Sequence, residues 1–180
     1  TAEAKVVPEE AVEISPDGTA RLAVRLIDCV GYMVPGAVGA TEDGQPRMVT
    51  TPWFDYEIPM TQAAELGTKK VMADHSSIGL VVTTDGTVTD IPREDYVEAE
   101  RRAITDMRRT GKPFLVVINS RNPGGQEAQD TVRYIREQFG VAPMALDVQG
   151  LRAEGIGKML QALLHVPSTH MTPPTISRVT

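Results

Sequence analysis

Apolar and polar side chains alternate in two short stretches near the start of the chain. Residues 12–14 and 22–28 show this period of two, and the Ser-Pro-Asp-Gly sequence at 15–18 between them has the composition of a turn. Strands have this period because successive side chains point to opposite faces of a sheet. The pattern predicts a β-hairpin whose second strand ends at Asp28. Residues 32–60 are rich in Gly and Pro and show no period, so we expect a long irregular segment there.

The rest of the chain alternates between strand and helix patterns. Apolar runs of strand length occupy residues 78–83, 113–118 and 144–148, and apolar residues recur at helical spacing between and after them. We expect helices at about 61–74 with Thr61 as the N-cap, at 92–110, at 128–139 and at 156–164. This alternation predicts an α/β fold, with a leading β-hairpin, a mostly parallel sheet and helices on both faces.

The first candidate site follows the predicted hairpin. Gly31 comes three residues after Asp28, which is the Asp-x-x-Gly pattern of nucleotide switches. In such switches the carboxylate holds Mg²⁺, usually through water, and the glycine N–H can approach the terminal phosphate because no Cβ intervenes. Ligands of parallel sheets bind at the carboxyl ends of strands, and we expect Asp28, Thr84 and Asn119 to share that rim. A plain turn after a strand would give the same spacing without a ligand.

The loop that should accompany such a switch is missing from the sequence. Phosphate-cradling loops read Gly-x-x-x-x-Gly-Lys-Ser/Thr, and this motif occurs nowhere in the chain. The two Gly-Lys pairs, at 111–112 and 157–158, are followed by Pro113 and Met159. Neither pair can therefore form the loop.

The second candidate site is the Asn-Ser-Arg-Asn sequence at 119–122. Nucleotide switches of the GTPase kind carry Asn-Lys-x-Asp after the corresponding strand, and here Ser120 replaces the lysine and Asn122 replaces the aspartate. An amide has one acceptor oxygen, so it cannot accept both hydrogen bonds that guanine donates to a carboxylate. Strong guanine selection is not expected. A turn without a ligand is the alternative, because Pro123 and two glycines follow.

Composition narrows the classes of function. The chain has 180 residues, of which 41% are hydrophobic and 23% are charged, and this composition suits one soluble globular domain. Its net charge of -6 argues against a nucleic-acid partner, because nucleic-acid-binding surfaces are basic. The three histidines are dispersed in the sequence, which disfavours a transition-metal site. Cys29 is predicted to be a small buried side chain, and a single cysteine suits a reducing cytosol.

Several longer stretches resemble a known family. They are residues 24–32 (Val-Arg-Leu-Ile-Asp-Cys-Val-Gly-Tyr), 34–37, 46–48, 51–53, 65–71 (Glu-Leu-Gly-Thr-Lys-Lys-Val), 75–79, 83–87 (Thr-Thr-Asp-Gly-Thr), 91–100 and 111–114. Together they resemble the nucleotide-binding domain of the stage IV sporulation protein A family. The resemblance covers roughly residues 1–165 and is more specific than any single motif.

The resemblance implies a fold, an activity and a cellular setting. The implied fold is a P-loop NTPase sheet of the translation-factor GTPase type, incomplete in this chain, and the implied activity is ATP hydrolysis with ATP and Mg²⁺ as cofactors. The family self-assembles into the base layer of the spore coat. The implied partners are further copies of the protein, a small amphipathic forespore-membrane protein and other coat proteins, with no nucleic acid. The implied location is the mother-cell cytoplasm, peripheral to the outer forespore membrane.

The resemblance also assigns roles to five residues. Asp28 corresponds to the Mg²⁺-side aspartate of the second Walker motif. Thr1 corresponds to the first of two adjacent threonines that sense the nucleotide state. Both are expected to be catalytic and to hold the metal. Gly31 is expected to meet the γ-phosphate, and Asn119 and Ser120 are expected to bind the nucleotide.

The resemblance also predicts where the chain departs from a complete domain. Ala2 stands where the family has its second sensor threonine, so one of the two hydroxyls is missing. Residues 1–165 are expected to form a partial nucleotide-binding domain whose first strand, phosphate loop and first helix precede Thr1, and 166–180 a divergent tail. Such a sheet has two open inner edges, beside the strand ending at Asp28 and beside 78–83, and we expect it to be imperfect or prone to oligomerise.

Two other hypotheses use the same residues. A non-catalytic structural or assembly module fits the missing phosphate loop, and it predicts that Mg-ATP does not bind. Under either hypothesis we expect negligible ATPase activity from these 180 residues alone. A phosphate-accepting receiver domain has a similar α/β alternation, but it needs an acidic pair at its first strand end, and Asp28 has no acidic neighbour in sequence.

Overall fold

The computed structural model describes residues 10–15, 21–37, 39 and 41–165. In chain order the elements are β1 Val12–Ile14, β2 Leu22–Val24, β3 Thr41–Glu42, β4 Gln45–Pro46, β5 Met48–Thr51, β6 Phe54–Pro59, α1 Met60–Lys70, β7 Gly79–Thr84, α2 Arg93–Arg109, β8 Phe114–Asn119, α3 Gln126–Phe139, β9 Pro143–Leu146 and α4 Ala153–Leu164. A π-helical segment, Val71–His75, continues α1. None of the described helices is long and apolar enough to cross a membrane. Thr1 and the predicted tail at 166–180 lie outside the described residues.

Strands β7, β8 and β9 form a parallel sheet in that order. The register places Thr84 opposite Asn119 at the carboxyl ends of β7 and β8. The central strand is β8, and its residues 114–118 are at most 5% exposed. A strand covered on both faces has a continuous apolar sequence because neither face meets water. The predicted α/β fold with a parallel sheet is confirmed at this level.

Helices α2 and α3 bury one face of this sheet. Ile104 and Met107 of α2 and Ile135 of α3 pack in one cluster with Val116 and Ile118 of β8. All five side chains are almost completely buried. Because full burial of such a side chain contributes about 1.5–3 kcal/mol, this cluster is a main source of the stability of the fold. Helix α4 also contacts β8.

The helix ends follow the predicted signals with one exception. Gly111 and Gly140 follow α2 and α3 with φ angles of 69° and 61°, and glycine adopts this left-handed conformation at little steric cost. The exception is α1. Thr61 lies inside the helix, and the N-cap is Pro59 in an extended conformation, so the predicted cap is wrong. Proline suits this boundary because its ring fixes φ near the helical value and it has no N–H to leave unpaired.

The side chain of Lys112 closes the end of the π-helical segment. Its ammonium group donates hydrogen bonds to the carbonyl oxygens of Met72, Ala73 and Ser76 at 2.8, 2.5 and 2.6 Å. The last carbonyls of a helix have no partner within the helix, and a cation beside them is favourable. Lys112 therefore ties the loop before β8 to the end of α1, which gives a structural role to one of the two Gly-Lys pairs that cannot form a phosphate loop.

The predicted β-hairpin at the start of the chain is present but shorter than expected. Val12 pairs with Val24 in an antiparallel register, and β2 ends at Val24 instead of Asp28. Leu26 is 76% exposed, so the apolar alternation beyond Val24 meets no core among the residues that the structure describes. Cys29 is exposed as well, and the prediction that it is buried is wrong.

Within the described residues, the hairpin does not join the parallel sheet. The strand before Asp28 is therefore not part of the sheet that carries Thr84 and Asn119, and a shared rim for the three residues stays a prediction. Thr84 and Asn119 do lie side by side, because their strands pair directly.

The segment at 32–60 is more regular than predicted. It contains two antiparallel hairpins, β3–β4 and β5–β6. Asp43 and Gly44 connect β3 to β4 with φ angles of 49° and 76°, and two positive angles in a two-residue loop are the signature of a type I′ turn. Asp-Gly is a strong hairpin signal, and the sequence prediction missed it because the strands that flank it have only two residues each.

Strand β7 has an unpaired edge within the described residues, where β8 is its only neighbour. Leu80 and Val82 on this strand are 39% and 57% exposed. Unpaired N–H and C=O groups beside exposed apolar side chains favour the addition of another strand.

Candidate functional site

The Asp-x-x-Gly motif lies in an exposed segment after the hairpin. One oxygen of the Asp28 carboxylate accepts a hydrogen bond from the N–H of Cys29 at 2.9 Å, and the side chain is exposed. Gly31 has a φ of 81°, and a Cβ built on it would have no described atom within 4 Å. The segment thus presents a solvent-accessible carboxylate and, three residues later, a backbone that a ligand can approach closely.

Two hydrogen bonds fasten this segment to the helices. The N–H of Gly31 donates to the hydroxyl oxygen of Thr68 on α1 at 2.9 Å, and the phenol of Tyr32 donates to a carboxylate oxygen of Asp106 on α2 at 2.7 Å. Both partners lie far along the chain from the motif, at sequence separations of 37 and 74 residues. The motif is therefore held by tertiary contacts at its glycine end, while the end that carries Asp28 is exposed.

Asp106 is the centre of a charged cluster between α1 and α2. Lys69 lies 3.2 Å and Arg109 2.9 Å from its carboxylate, which also accepts the Tyr32 bond. Burial raises the pKa of Asp106, but the hydrogen bonds from Tyr32, Lys69 and Arg109 and the charge of Lys69 together outweigh burial and hold this pKa below its ordinary value. These groups and their neighbours line a cleft of about 200 Å³.

The same contacts raise the pKa of the Tyr32 phenol above its ordinary value. Burial is the main cause, and the hydrogen bond to Asp106 adds to it. The guanidinium of Arg102 lies 5.4 Å from the centre of the Tyr32 ring, and Arg102 also forms an ion pair with Glu65 on α1. Both of these contacts to Tyr32 come from α2, which the ion pair between Arg102 and Glu65 links to α1.

The second candidate site lies at the carboxyl ends of β7 and β8. The side-chain oxygen of Asn119 accepts the N–H of Val148 at 3.1 Å, and the hydroxyl of Ser120 accepts the N–H of Asn122 at 3.0 Å. Ser120 is completely buried. Both side chains thus brace the loops that follow β8 and β9. The structure places these two predicted residues together, and it places neither of them in contact with Asp28 or Gly31 among the described hydrogen bonds.

Sequence analysis gave no role to Asp85 and Thr87, which support the second candidate site. One Asp85 oxygen accepts hydrogen bonds from the N–H and the hydroxyl of Thr87 at 3.0 and 2.6 Å, and the Thr87 hydroxyl oxygen accepts the N–H of Arg121 at 3.0 Å. Burial raises the pKa of Asp85, but the polar contacts around the carboxylate, with the hydrogen bonds from Thr87 among them, outweigh burial and lower this pKa. The signal was available as an Asp-Gly-Thr sequence directly after an apolar strand.

The described residues suit Mg²⁺ only as part of a nucleotide complex. In the ranges that the structure covers, there is no group of three or more His, Cys, Asp or Glu side chains able to hold a metal ion. Mg²⁺ keeps several waters and is often held by one or two carboxylates together with substrate phosphates. The exposed Asp28 fits that mode as a single carboxylate. Thr1, the other predicted metal residue, lies outside the described part of the chain.

Comparison with known proteins identifies relatives of this chain. A family described as "Stage IV sporulation protein A, ATPase domain" matches residues 1–167. Proteins named stage IV sporulation protein A from Bacillus anthracis and Bacillus subtilis (strain 168) are both 42% identical, over 93% and 92% of the chain. The protein of that name from Clostridioides difficile (strain 630) is 43% identical over 92% of the chain.

The match covers only part of each relative. The chain spans 34% of the length of each of these three proteins. No solved structure matches the chain. The family match covers more than nine-tenths of the sequence. The chain therefore belongs to the stage IV sporulation protein A family, in the region of its ATPase domain.

Proposed function

We propose that this chain forms the γ-phosphate side of an ATP-hydrolysing site. The observation that carries the proposal is the exposed Asp28 carboxylate three residues before Gly31, whose positive φ and empty Cβ position leave room for a ligand beside its backbone. Backbone N–H groups presented in this way are common anion ligands. Membership of an ATPase-domain family supports the same conclusion.

Each predicted site residue has a part in this proposal. Mg²⁺ bound together with ATP would neutralise negative charge on the phosphates. Asp28 would hold the hydrated metal, with Thr1 as a second oxygen donor. The N–H of Gly31 would donate to an oxygen of the γ-phosphate. Asn119 and Ser120 would shape the loop beside the base, and Asn122 would disfavour guanine because its amide has a single acceptor oxygen.

The proposal assigns the phosphate-cradling loop to a segment outside these 180 residues. The edge of β7 supports this assignment, because no described strand pairs with it and Leu80 and Val82 are exposed beside it. A strand from that segment would pair with β7 at this edge. That strand would bring the loop that follows it to the carboxyl end of the sheet, where ligands bind.

In the cell, we propose that ATP hydrolysis drives self-assembly of the protein into the base layer of the spore coat. Assembly would occur in the mother-cell cytoplasm, on the outer forespore membrane. A small amphipathic membrane protein would recruit it there, and other coat proteins would bind afterwards. The names of the relatives support a role in sporulation, and the sequence resemblance supports the rest.

Replacement of Asp28 tests the proposal. In the full-length protein, Asp28→Ala should lower kcat for Mg-ATP hydrolysis on the order of 100-fold, because the charge that holds the metal is lost. Asp55→Ala is the matched control, since Asp55 is also exposed and lies on β6, away from the motif. Release of inorganic phosphate measures the rate. Normal hydrolysis and normal assembly by Asp28→Ala would refute the assignment.

Equilibrium binding of Mg-ATP distinguishes the proposal from a non-catalytic assembly module. The lack of a phosphate-cradling loop in these residues favours the module. The enzyme hypothesis expects tight binding to the full-length protein, and the module hypothesis expects none. Calorimetry on the full-length wild-type protein decides between them without any variant.

A further inference from the structure

The N–H of Gly31, which we propose as a donor to the γ-phosphate, is already hydrogen-bonded in this structure. The N–H of Gly31 donates to the hydroxyl oxygen of Thr68 at 2.9 Å, and the same hydroxyl lies 3.4 Å from the carbonyl oxygen of Gly31, to which it donates. Thr68 is 4% exposed and sits in the last part of α1. A buried side chain from a helix distant in sequence therefore binds both backbone polar groups of Gly31.

One N–H carries one hydrogen, so it cannot make a full hydrogen bond to Thr68 and to a phosphate at the same time. We propose that Thr68 is a positioning residue that holds the Gly31 amide until the γ-phosphate displaces its hydroxyl. This inference rests on the proposed function. The exchange is favourable for the amide, because a charged phosphate oxygen is a stronger acceptor than a neutral hydroxyl.

The geometry allows Gly31 to change partners without moving far. Tyr32 is held by Asp106 and lies beside Arg102, which fixes the chain directly after Gly31. A glycine can rotate its peptide between conformations that other residues avoid. A displaced Thr68 hydroxyl also has a local substitute acceptor, the carbonyl oxygen of Ala64 one turn earlier in α1, since threonine in helices can bond to the carbonyl four residues before it.

Helix α1 would transmit the effect of this change of hydrogen-bond partner to the β5–β6 hairpin. Helix α1 contacts both strands of that hairpin, and Trp53 in its loop packs against Gly67, the neighbour of Thr68, with its ring 3.5 Å from the position of a built Cβ. The ammonium of Lys70 lies 5.7 Å from the centre of the Trp53 ring. Arrival of a γ-phosphate at Gly31 would thus loosen a bond that links the motif to this helix and hairpin.

The test compares ligands with and without a γ-phosphate. Dissociation constants for Mg-AMP-PNP and Mg-ADP are measured on full-length wild type, Thr68→Val and Thr68→Ser. Valine keeps the shape of threonine without the hydroxyl, and serine keeps the hydroxyl. Thr68→Val should bind Mg-AMP-PNP about threefold to tenfold more tightly than wild type, which corresponds to the loss of one neutral competing hydrogen bond. Mg-ADP binding should be unchanged, and Thr68→Ser should resemble wild type with both ligands.

Several outcomes would overturn the inference. Equal changes for both nucleotides would indicate a merely structural role for Thr68, and unchanged or weaker Mg-AMP-PNP binding by Thr68→Val would exclude competition. If Thr68→Val fails to fold, Thr68→Ala replaces it with the same expectations. If full-length wild type binds neither nucleotide, the proposed function itself fails, and that result differs from every outcome above.

Discussion

The parallel sheet and the N-terminal hairpin segment present their candidate residues in opposite ways. Asn119 ends β8, a strand buried on both faces, Ser120 follows it, and their side chains are bonded to neighbouring loops. Asp28 follows a two-stranded hairpin, in a stretch where Leu26 and Val30 are largely exposed. Two-stranded hairpins are marginally stable by themselves in water. The site at Asn119 and Ser120 is thus part of the buried sheet, whereas the site at Asp28 lies in an exposed segment outside that sheet.

This difference indicates which part of the molecule can respond to a ligand. Segments with few buried apolar contacts open at low free-energy cost, and responsive elements are drawn from them. The Asp-x-x-Gly segment is such an element, and two hydrogen bonds, Gly31 to Thr68 and Tyr32 to Asp106, connect it to the helices. The loop after β8 is held by hydrogen bonds to the side chains of Asn119 and Ser120, so we expect it to move less than that segment.

The largest expected effect comes from the core of the sheet. Ile118→Ala should lower the free energy of unfolding by about 2–5 kcal/mol, because it leaves a cavity in a completely buried position. Leu26→Ala is the matched change in the hairpin segment, and it should stay within about 0.5 kcal/mol of wild type. Urea unfolding followed by circular dichroism measures both. Comparable losses of unfolding free energy in the two variants would contradict the contrast between the buried sheet and the exposed hairpin segment.

An intermediate effect is expected at the hydrogen bond between Tyr32 and Asp106, which we call the anchor because it connects the hairpin segment to α2. Tyr32→Phe removes the hydrogen bond to Asp106 and keeps the ring, so the free energy of unfolding should fall by about 1–2 kcal/mol, near the lower end for a bond to a charged group. Asp106 keeps Lys69 and Arg109 as partners, which limits the loss.

Tyr56→Phe provides the control for the anchor, because Tyr56 is exposed on β6 and its change should be close to neutral. Hydrogen exchange at residues 31–34 adds a local measurement and should be faster in Tyr32→Phe. Wild-type exchange in that variant would mean that the phenol does not anchor the segment.

The smallest expected effect is the acid dependence of the anchor. The pKa of Asp106 is lower in the folded protein than its ordinary value of about 3.9. Its contribution to stability is therefore present above that value and is lost as the pH falls through the folded pKa. Between pH 5 and pH 2.5 the free energy of unfolding should fall less steeply in Asp106→Asn than in wild type. Identical slopes would show that Asp106 does not contribute.

The sequence predicted the parallel sheet better than the hairpin segment for a physical reason. The strand at 113–118 and the helices around it were identified because burial on both faces imposes a continuous apolar run and a helical repeat. The alternation of apolar and polar residues at 22–28 predicts a strand only if one face of that strand is buried. Leu26 remains exposed in the described structure, and the strand ends at Val24.

The candidate site was predictable in its residue types and less so in its contacts. Asp28 and Gly31 follow from a local spacing, and the neighbouring position of Asn119 and Ser120 follows from one strand end. Thr68 and Asp106 could not be found in this way, because they meet the motif only through tertiary packing across 37 and 74 residues. A single threonine in a helix carries no signal of a partner at that distance.

Lys112 anchors one end of the helix that carries Thr68. Its ammonium group fastens the far end of the helix by three carbonyl oxygens, while the Thr68 contact lies at least one turn nearer the helix start. Release of the Thr68 contact would leave the Lys112 end of the helix anchored, so we expect any movement of α1 to be larger at its other end. There the N–H of Met60 donates to the carbonyl oxygen of Arg47, just before β5. A change at one glycine would then be felt at the β5–β6 hairpin, where Trp53 is 42% exposed and within reach of another molecule.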